Sequence, residues 1–335
     1  MNEIIFIVFI IFILILFNNQ YENFNNIDYN FDVDAVITWV DGHDPTWNKI
    51  KNKYANKLNK TIWKSSNTDL RYKHCNELYY CLLSIIKNLP WIRNVFLVTM
   101  YPQKPNFIKE FPKVKIIYHH QIFPNLNNLP TFNSQAIETQ LYNIPGLSEN
   151  FLYLNDDFII AKPLKKSYFF TKTGRIKFYY NQTINKYNLS VMNYLKNNNY
   201  NIRYYTPIHH AVALKKSYFK QMWNIFKKDL SITSNNKFRS KNDLWIISLI
   251  QQLCGTFYNK CIYIYPKKYD QLYLLLKDKD NKNDKERVNE INKMINIYKY
   301  SNPSLLCINN LSYYNKYHQE IYLKIINIFK KKNKL

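Results

Sequence analysis

Two short acidic clusters carry the most suggestive chemistry in the chain: Asp41 and Asp44 within Asp41-Gly42-His43-Asp44-Pro45, and the adjacent pair Asp156-Asp157. Neighbouring carboxylates can hold a hard divalent cation, and Mg2+ characteristically uses one or two carboxylates together with substrate phosphates. The same residue types also make tight turns and cap helices, so each cluster is either a turn or a metal or diphosphate site. Trp39 and Trp47 flank the first cluster and could wall a base or sugar pocket. His209-His210 follows Pro207, and either imidazole could serve as a base or nucleophile. Arg239 and Asp243 stand four residues apart, as an ordinary helix pair would, whereas a guanidinium beside a diphosphate would clamp its oxygens. His119-His120 ends an apolar run and has no carboxylate at helical metal-site spacing, which favours packing.

Both acidic clusters follow short apolar runs. Val33–Val40 and Phe151–Leu154 read as strands, as do Asn94–Thr99, Val114–Tyr118 and Cys261–Tyr265. Glu77–Lys87 repeats apolar residues at helical spacing and stops before Pro90. Asn133–Tyr142 reads as a helix capped by Asn133 or Ser134, with Glu138 in an early turn. Further helices are expected over Ser217–Lys228, Asn242–Leu253, Lys285–Tyr300 and Tyr314–Lys330, with a loop or flap over the Asn-rich stretch Asn181–Asn201 and a loop over Thr233–Lys241. Strands alternating with helices predict an α/β fold with a mostly parallel sheet and flanking helices, followed by a helical C-terminal part. In such sheets ligands bind beyond the carboxyl ends of the strands, which is where both acidic clusters fall.

Composition limits the alternatives. With only 4 Gly, the chain lacks both GxGxxG and GxxxxGK[ST], so dinucleotide-binding and P-loop chemistry lose their usual support. A formal net charge of +24 invites a nucleic-acid reading, but lysines are spread along the whole chain and cluster only at Lys330, Lys331, Lys332 and Lys334. A basic surface favours anionic substrates in general, and no nucleic-acid partner is expected. The five cysteines show no CxxC pair or zinc-like spacing, and their odd number neither demands nor excludes a disulfide. At the amino terminus Ile4–Phe17 is apolar without interruption and no small-residue cleavage site follows, which predicts a retained single-pass membrane anchor rather than a removed signal. The expected organisation is an anchor at 1–20, a linker at 21–32, one α/β domain at 33–275, a charged linker at 276–286 and a helical segment at 287–335.

Four segments carry a family resemblance: Asp34–Pro45 (DAVITWVDGHDP), Pro90–Thr99 (PWIRNVFLVT), Leu129–Glu138 (LPTFNSQAIE) and Ile144–Phe158 (IPGLSENFLYLNDDF) resemble the Stealth family. A weaker block around Thr206–Asp243, including Phe238–Asp243 (FRSKND), and a fourth at Leu305–Asn310 are similar too. The family includes bacterial capsular polysaccharide phosphotransferases and the eukaryotic N-acetylglucosamine-1-phosphotransferase. The resemblance implies a nucleotide-sugar transferase-like fold, a nucleotide-sugar donor, a glycan or polysaccharide acceptor, and Mg2+ or Mn2+ as cofactor. It implies transfer of a sugar-1-phosphate to the acceptor hydroxyl, by a catalytic domain that is lumenal or extracytoplasmic. The alternatives are a conventional sugar transferase and a catalytically degenerate glycan-binding relative. On this reading Asp156 and Asp157 hold the metal or diphosphate, and Asp41 and Asp44 serve the donor pocket or acid–base work beside Trp39. Arg239 clamps phosphate, His209 acts as base, and Asn133, Ser134, Glu138 and Asp243 shape the substrate site. The chain departs from the family pattern at Tyr79 and Leu83, where arginines are usual, at Tyr205, where a histidine is usual, and at Asn310, where an aspartate is usual.

Overall fold

Val33–Thr38 (β1) is a β-branched, apolar run whose first five residues are buried, as expected of a strand covered on both faces. The computed structural model describes residues 29–58, 72, 76–181, 186–202, 206–258, 261–275, 284–309 and 316–335. Within them the strands continue with β2 (Val95–Thr99), β3 (Val114–Tyr118), β4 (Asn150–Asn155), β5 (Phe158–Ile160), β6 (Ile176–Asn181), β7 (Thr206–Pro207), β8 (Val212–Lys215), β9 (Cys261–Ile264), β10 (Gln271–Leu275) and β11 (Leu305–Asn309). The central sheet has the order β3-β2-β1-β4-β8 and is parallel except for β8, which runs antiparallel to β4. This is the α/β architecture with a mostly parallel sheet expected from the sequence.

Helix Glu77–Asn88 lies between β1 and β2 in sequence and buries Leu78, Cys81, Leu82 and Ile85, one face at helical spacing. It also fixes β5, because the Ile160 amide donates to Ser84 Oγ at 3.0 Å and Asn88 Nδ2 donates to the Ile160 carbonyl at 2.7 Å. A helix entered from the carboxyl end of β1 starts at that end of the sheet, so Glu77 is delivered to the same edge as both acidic clusters.

A second sheet, β10-β11-β5, joins the C-terminal part to the centre. Strand β11 pairs antiparallel to β5 with Cys307 opposite Phe158, and parallel to β10. Helices Asp284–Ser301 and Lys316–Asn333 pack on it, their Tyr298, Ile325 and Phe329 meeting Ile159, Leu274 and Leu306 in a second apolar cluster. The C-terminal part is thus helical around a strand that the apolar run Leu305–Ile308 makes and that was not predicted.

Other elements differ in detail. The stretch 181–201 contains helix Lys186–Asn197, whose Val191, Met192 and Leu195 are buried at helical spacing within an Asn-rich sequence. The helix expected over 133–142 is a single short turn, Ser134–Glu138, followed by a 3-10 turn at Leu141–Asn143. Helix Lys227–Asn235 enters the region expected as a loop, and helix Ile246–Tyr258 begins later than predicted. Cys254 and Cys261 form a disulfide between that helix and β9, while Cys81 and Cys307 are free and buried.

The membrane anchor is corrected. Among the described residues no helix is long and apolar enough to cross a membrane. The run Ile4–Phe17 on which the anchor rested lies outside the described residues, and its fourteen residues fall short of the roughly 20 that span a bilayer. Tyr205 and Asn310, two of the four departures from the family pattern, also lie outside the described residues.

At the amino end of the sheet the fully buried Asp34 carboxylate accepts from Arg93 Nε at 3.0 Å and Nη2 at 2.7 Å, from the Asn94 amide at 3.0 Å and from the Ser148 amide at 2.7 Å. Burial would raise its pKa, but the hydrogen bonds from Arg93 and Ser148, with the charge of Arg93, hold it below the ordinary carboxylate value. A depressed pKa contributes stability above the unfolded value that is lost as pH falls through the folded one. Asp34→Ala is therefore expected to cost about 3 kcal/mol in urea unfolding at neutral pH, the lower end for a broken buried pair because Arg93 keeps one face in water. The gap between variant and parent should close in acid; an equal gap at pH 7 and well below the ordinary carboxylate range would show that packing, not the carboxylate charge, holds this end.

Candidate active site

Strands β1 and β4 are parallel neighbours that end level, with Thr38 opposite Asn155. Each runs straight into an acidic cluster.

Asp156 and Asp157 form the turn between β4 and β5. Asp157 Oδ2 accepts from Asn309 Nδ2 at 2.8 Å and lies 3.4 Å from Cys307 Sγ, both on β11. Its other oxygen, Oδ1, is buried and has no hydrogen-bond partner among the described residues. Burial pushes the Asp156 carboxyl well above the carboxylate range, and the charges of Asp157 and Glu77 push it further. The orphaned buried oxygen of Asp157, beside Asp156 and under the charge of Glu77, is a donor that a divalent cation would relieve, and oxygen donors suit a hard one. The residues fit such an ion.

His209 lies on the other side of Asp157. One ligand atom each from Asp157, His209 and Cys307 lie within 4.8 Å of one another. The His209 ring stands edge-on to Phe158 at 4.9 Å and to Tyr273 at 5.6 Å. It keeps an exposed edge while protein crowds its other sides. That crowding lowers its pKa and Arg239 lowers it further, against an opposing pull from Asp157, so the neutral imidazole is favoured. His210 also meets the Phe158 ring, at 6.1 Å, but is buried, with its pKa pushed down to about 3 by burial and by His209. The pair thus splits into one site residue and one core residue.

Arg239 Nη2 donates to Ser134 Oγ. Its charge reaches His209, Glu138, Tyr153 and Asp243. The loop that carries it is latched by Asp243, whose Oδ2 accepts from Asn133 Nδ2 at 2.8 Å and the Ser240 amide at 2.9 Å, and whose Oδ1 accepts from Asn236 Nδ2 at 2.6 Å. Asn133 in turn caps helix Ser134–Glu138 by accepting from the Gln135 amide at 3.0 Å. These contacts make Asn133 and Asp243 positioning residues for Ser134 and Arg239.

Glu138 is buried, accepting from Tyr153 Oη at 3.1 Å and from Trp245 Nε1 at 2.5 Å. Tyr153 also lies 3.0 Å from Asn155 Oδ1 and 3.0 Å from Thr38 Oγ1, so one phenolic proton is contested at the ends of β1 and β4. Burial raises Glu138 to about 7, although the Arg239 charge and the two hydrogen bonds pull it down.

The first acidic cluster is more architectural. Asp44 caps helix Pro45–Leu58, its Oδ1 accepting from the amides of Thr46 at 2.8 Å and Trp47 at 3.2 Å, and its Oδ2 from Gln103 Nε2 at 3.1 Å. Burial works against ionisation, but the hydrogen bonds from Gln103, Trp47 and Thr46 prevail and lower its pKa. Gln103 also clasps the Asp41 main chain, accepting from its amide at 3.1 Å and donating to its carbonyl at 2.9 Å. Asp41 Oδ1 accepts from the His43 amide at 2.8 Å. A Cβ at Gly42 would collide with the Tyr72 carbonyl, so this close approach requires glycine. Trp39 and Trp47 are both buried, and Trp47 packs against Tyr72 and Phe132 rather than lining an open wall.

The structure therefore gathers Asp156, Asp157, His209, Arg239, Ser134 and Glu138 around the end of β4, and sets Asp41 and Asp44 beside Gln103 at the end of β1. Glu77, Tyr153, Trp245 and Cys307 join the site without having been singled out. Asn309 had a sequence signal, since it falls in the fourth similar block; Cys307 precedes it by two residues.

Three family descriptions match the chain: "Stealth protein CR1, conserved region 1" over residues 31–59, "Stealth protein CR2, conserved region 2" over 71–178 and "Stealth protein CR3, conserved region 3" over 208–254. Together they span more than half of it. The chain is similar to the capsular polysaccharide phosphotransferase fcs1 of Haemophilus influenzae, 38% identical over 228 residues that cover 63% of this chain and 62% of the relative. It is also similar to a capsular polysaccharide phosphotransferase of Neisseria meningitidis serogroup B, 34% identical over 242 residues that cover 67% of this chain and 64% of the relative. The chain thus spans less than two thirds of the length of these relatives. Among solved structures it is similar to the galactosyltransferase LgtC in complex with donor and acceptor sugar analogues, at 9% identity and a TM-score of 0.44, covering 88% of this chain and 95% of that one; at that score nothing about the site is carried over.

Glu138 yields a test of the site's electrostatics. Its pKa of about 7 lies above its ordinary 4.5, so between those values the unfolded chain has released a proton that the folded one retains. Stability from this group is full below about pH 4.5 and is lost as pH rises through 7. Glu138→Gln removes that loss. Relative to the parent, the variant should gain on the order of 3 kcal/mol between pH 4.5 and 8 in urea titrations. Parallel curves for the two proteins would mean that Glu138 does not titrate in this range.

Proposed function

The chain belongs to the Stealth family, and from that premise we propose that it transfers a sugar-1-phosphate from a nucleotide sugar to a hydroxyl of a glycan or polysaccharide, forming a phosphodiester. The observation that carries the reading is the buried Oδ1 of Asp157 at the carboxyl end of β4, without a hydrogen-bond partner among the described residues, beside Asp156 and within reach of the charge of Glu77. Capsular polysaccharide phosphotransferase is also what the two relatives are named.

Asp156 and Asp157 are the residues that would hold Mg2+ or Mn2+, with Asn309 orienting Asp157 from behind. Bound there, the cation supplies charge neutralisation on the donor diphosphate. The chain's own residues do the rest. His209, kept neutral by its surroundings, takes the proton from the acceptor hydroxyl. The acceptor oxygen attacks the sugar-bearing phosphorus, the bond to the bridging oxygen breaks, and nucleoside monophosphate leaves. Arg239, stationed by Ser134, meets the phosphate oxygens as charge shifts among them. Asp41 and Asp44, with Trp39 behind them, remain with the donor pocket at the end of β1, their backbone set by Gln103.

The test is a screen of nucleotide sugars with Mg2+ or Mn2+, each labelled at the sugar-proximal phosphorus. Label in the glycan product and release of nucleoside monophosphate are expected. Arg239→Ala should lower kcat by about 10²–10³-fold, the cost of losing one preorganised charge-stabilising donor. Release of nucleoside diphosphate with no label in the product would overturn the reading in favour of ordinary sugar transfer.

A further inference from the structure

Cys307 has no part in the chemistry above, yet its thiol reaches the carboxylate that would hold the cation. It stands 3.4 Å from Asp157 Oδ2 and is completely buried. The arrangement comes from three separate segments. The β4–β5 turn supplies Asp157, the residues before β8 supply His209, and β11 is held against β5 in a register that sets Cys307 opposite Phe158, next to Asp157. One oxygen, one nitrogen and one sulfur donor thereby fall within 4.8 Å of each other.

A hard-cation site has no use for a sulfur donor, whereas a mixed S/N/O set suits zinc and its transition-metal neighbours. We propose that Asp157, His209 and Cys307 form a second, thiophilic binding mode at this carboxylate, taking Zn2+ or Co2+ in preference to Mg2+.

The geometry is nearly sufficient. In a tetrahedral zinc site the donors stand about 3.5 Å apart, given bonds of roughly 2.0 to 2.3 Å, so a side-chain adjustment on the order of 1 Å closes the triangle. Asn309 holds Asp157 through Oδ2, and the buried Oδ1 has no hydrogen-bond partner among the described residues, so the carboxylate keeps donor capacity for a metal. Three protein ligands leave a fourth position open to water or a substrate oxygen. Binding exchanges the Cys307 S–H bond for a sulfur–metal bond and releases one proton to solvent, with no change in oxidation state. Hard cations leave the thiol protonated. The same site therefore distinguishes the two classes of ion by whether Cys307 is engaged. The inference concerns the ion alone and does not rest on the transfer reaction.

The test titrates Co2+ alone into the full chain under reducing conditions and follows the visible and near-ultraviolet spectrum. One equivalent should develop a thiolate-to-cobalt charge-transfer band with intense d–d absorption of the four-coordinate kind, and Zn2+ should bleach it. Cys307→Ser should abolish the charge-transfer band and weaken Zn2+ binding by at least about 100-fold, since even losing an outer-shell partner costs 10–100-fold. Cys81→Ser, which alters the other free buried thiol among the described residues, should leave the band unchanged. A band that survives Cys307→Ser, or no band in the parent, overturns the proposal.

Discussion

The Asp34 carboxylate receives hydrogen bonds from Arg93, Asn94 and Ser148, and those residues stand at the entrances to β2 and β4 while Asp34 itself lies in β1. One buried group therefore sets where three parallel strands begin. In a parallel sheet the rise per residue is nearly constant, so strands that start together end together. That is why Thr38 and Asn155 finish opposite each other and why the residues after them share an edge. The clamp uses every oxygen lone-pair direction it can, and charge assistance from Arg93 repays the desolvation of a carboxylate that has no exposed surface. The site is thus positioned from the far end of the sheet, by a residue that cannot touch a substrate.

At the functional edge the electrostatic problem is the reverse. Asp156, Asp157 and Glu77 are gathered with too little positive charge, and burial drives the Asp156 carboxyl towards its neutral form. A few residues away, Arg239 lies near Glu138, Asp243 and Tyr153, and its charge eases the cost of burying two carboxyls and adds to the burial that keeps His209 neutral. The guanidinium is fixed by Ser134, and its loop by Asp243, so the positive charge is preorganised rather than recruited. The overall charge of +24 has little bearing on this balance, which is decided by buried groups and not by the lysines spread over the chain.

Local pattern made much of this legible. Apolar runs announced β1, β2, β3 and β4, and the acidic pairs at two strand ends marked the edge where a ligand would bind. Asp44 shows how residue type serves two readings: Asp-Pro before a helix is cap chemistry, and here its Oδ1 accepts from the amides of Thr46 and Trp47. Trp39 and Trp47 were read as pocket walls, but with so many apolar neighbours they pack inward. Helix Lys186–Asn197 was hidden because its few apolar positions, Val191, Met192 and Leu195, are diluted by asparagine, which ordinarily favours turns. The apolar amino-terminal run was read as an anchor from its hydrophobicity, when its length already argued against a span.

What no local pattern could reveal is the closure of the site by β11. Cys307 and Asn309 reach Asp157 across 150 and 152 residues of sequence through an antiparallel pairing with a three-residue strand. A strand as short as β5 carries too little periodicity to declare a partner, and its position is enforced from the other side by Ser84 and Asn88 of helix Glu77–Asn88. That helix also brings Glu77 to the acidic cluster, so one element both pins the strand that recruits β11 and supplies the third carboxyl. The three matched family regions end at residue 254 and contain every other member of the site, whereas Cys307 and Asn309 lie beyond them. Changes at β11 would therefore act on the surroundings of Asp157 from outside the three matched regions.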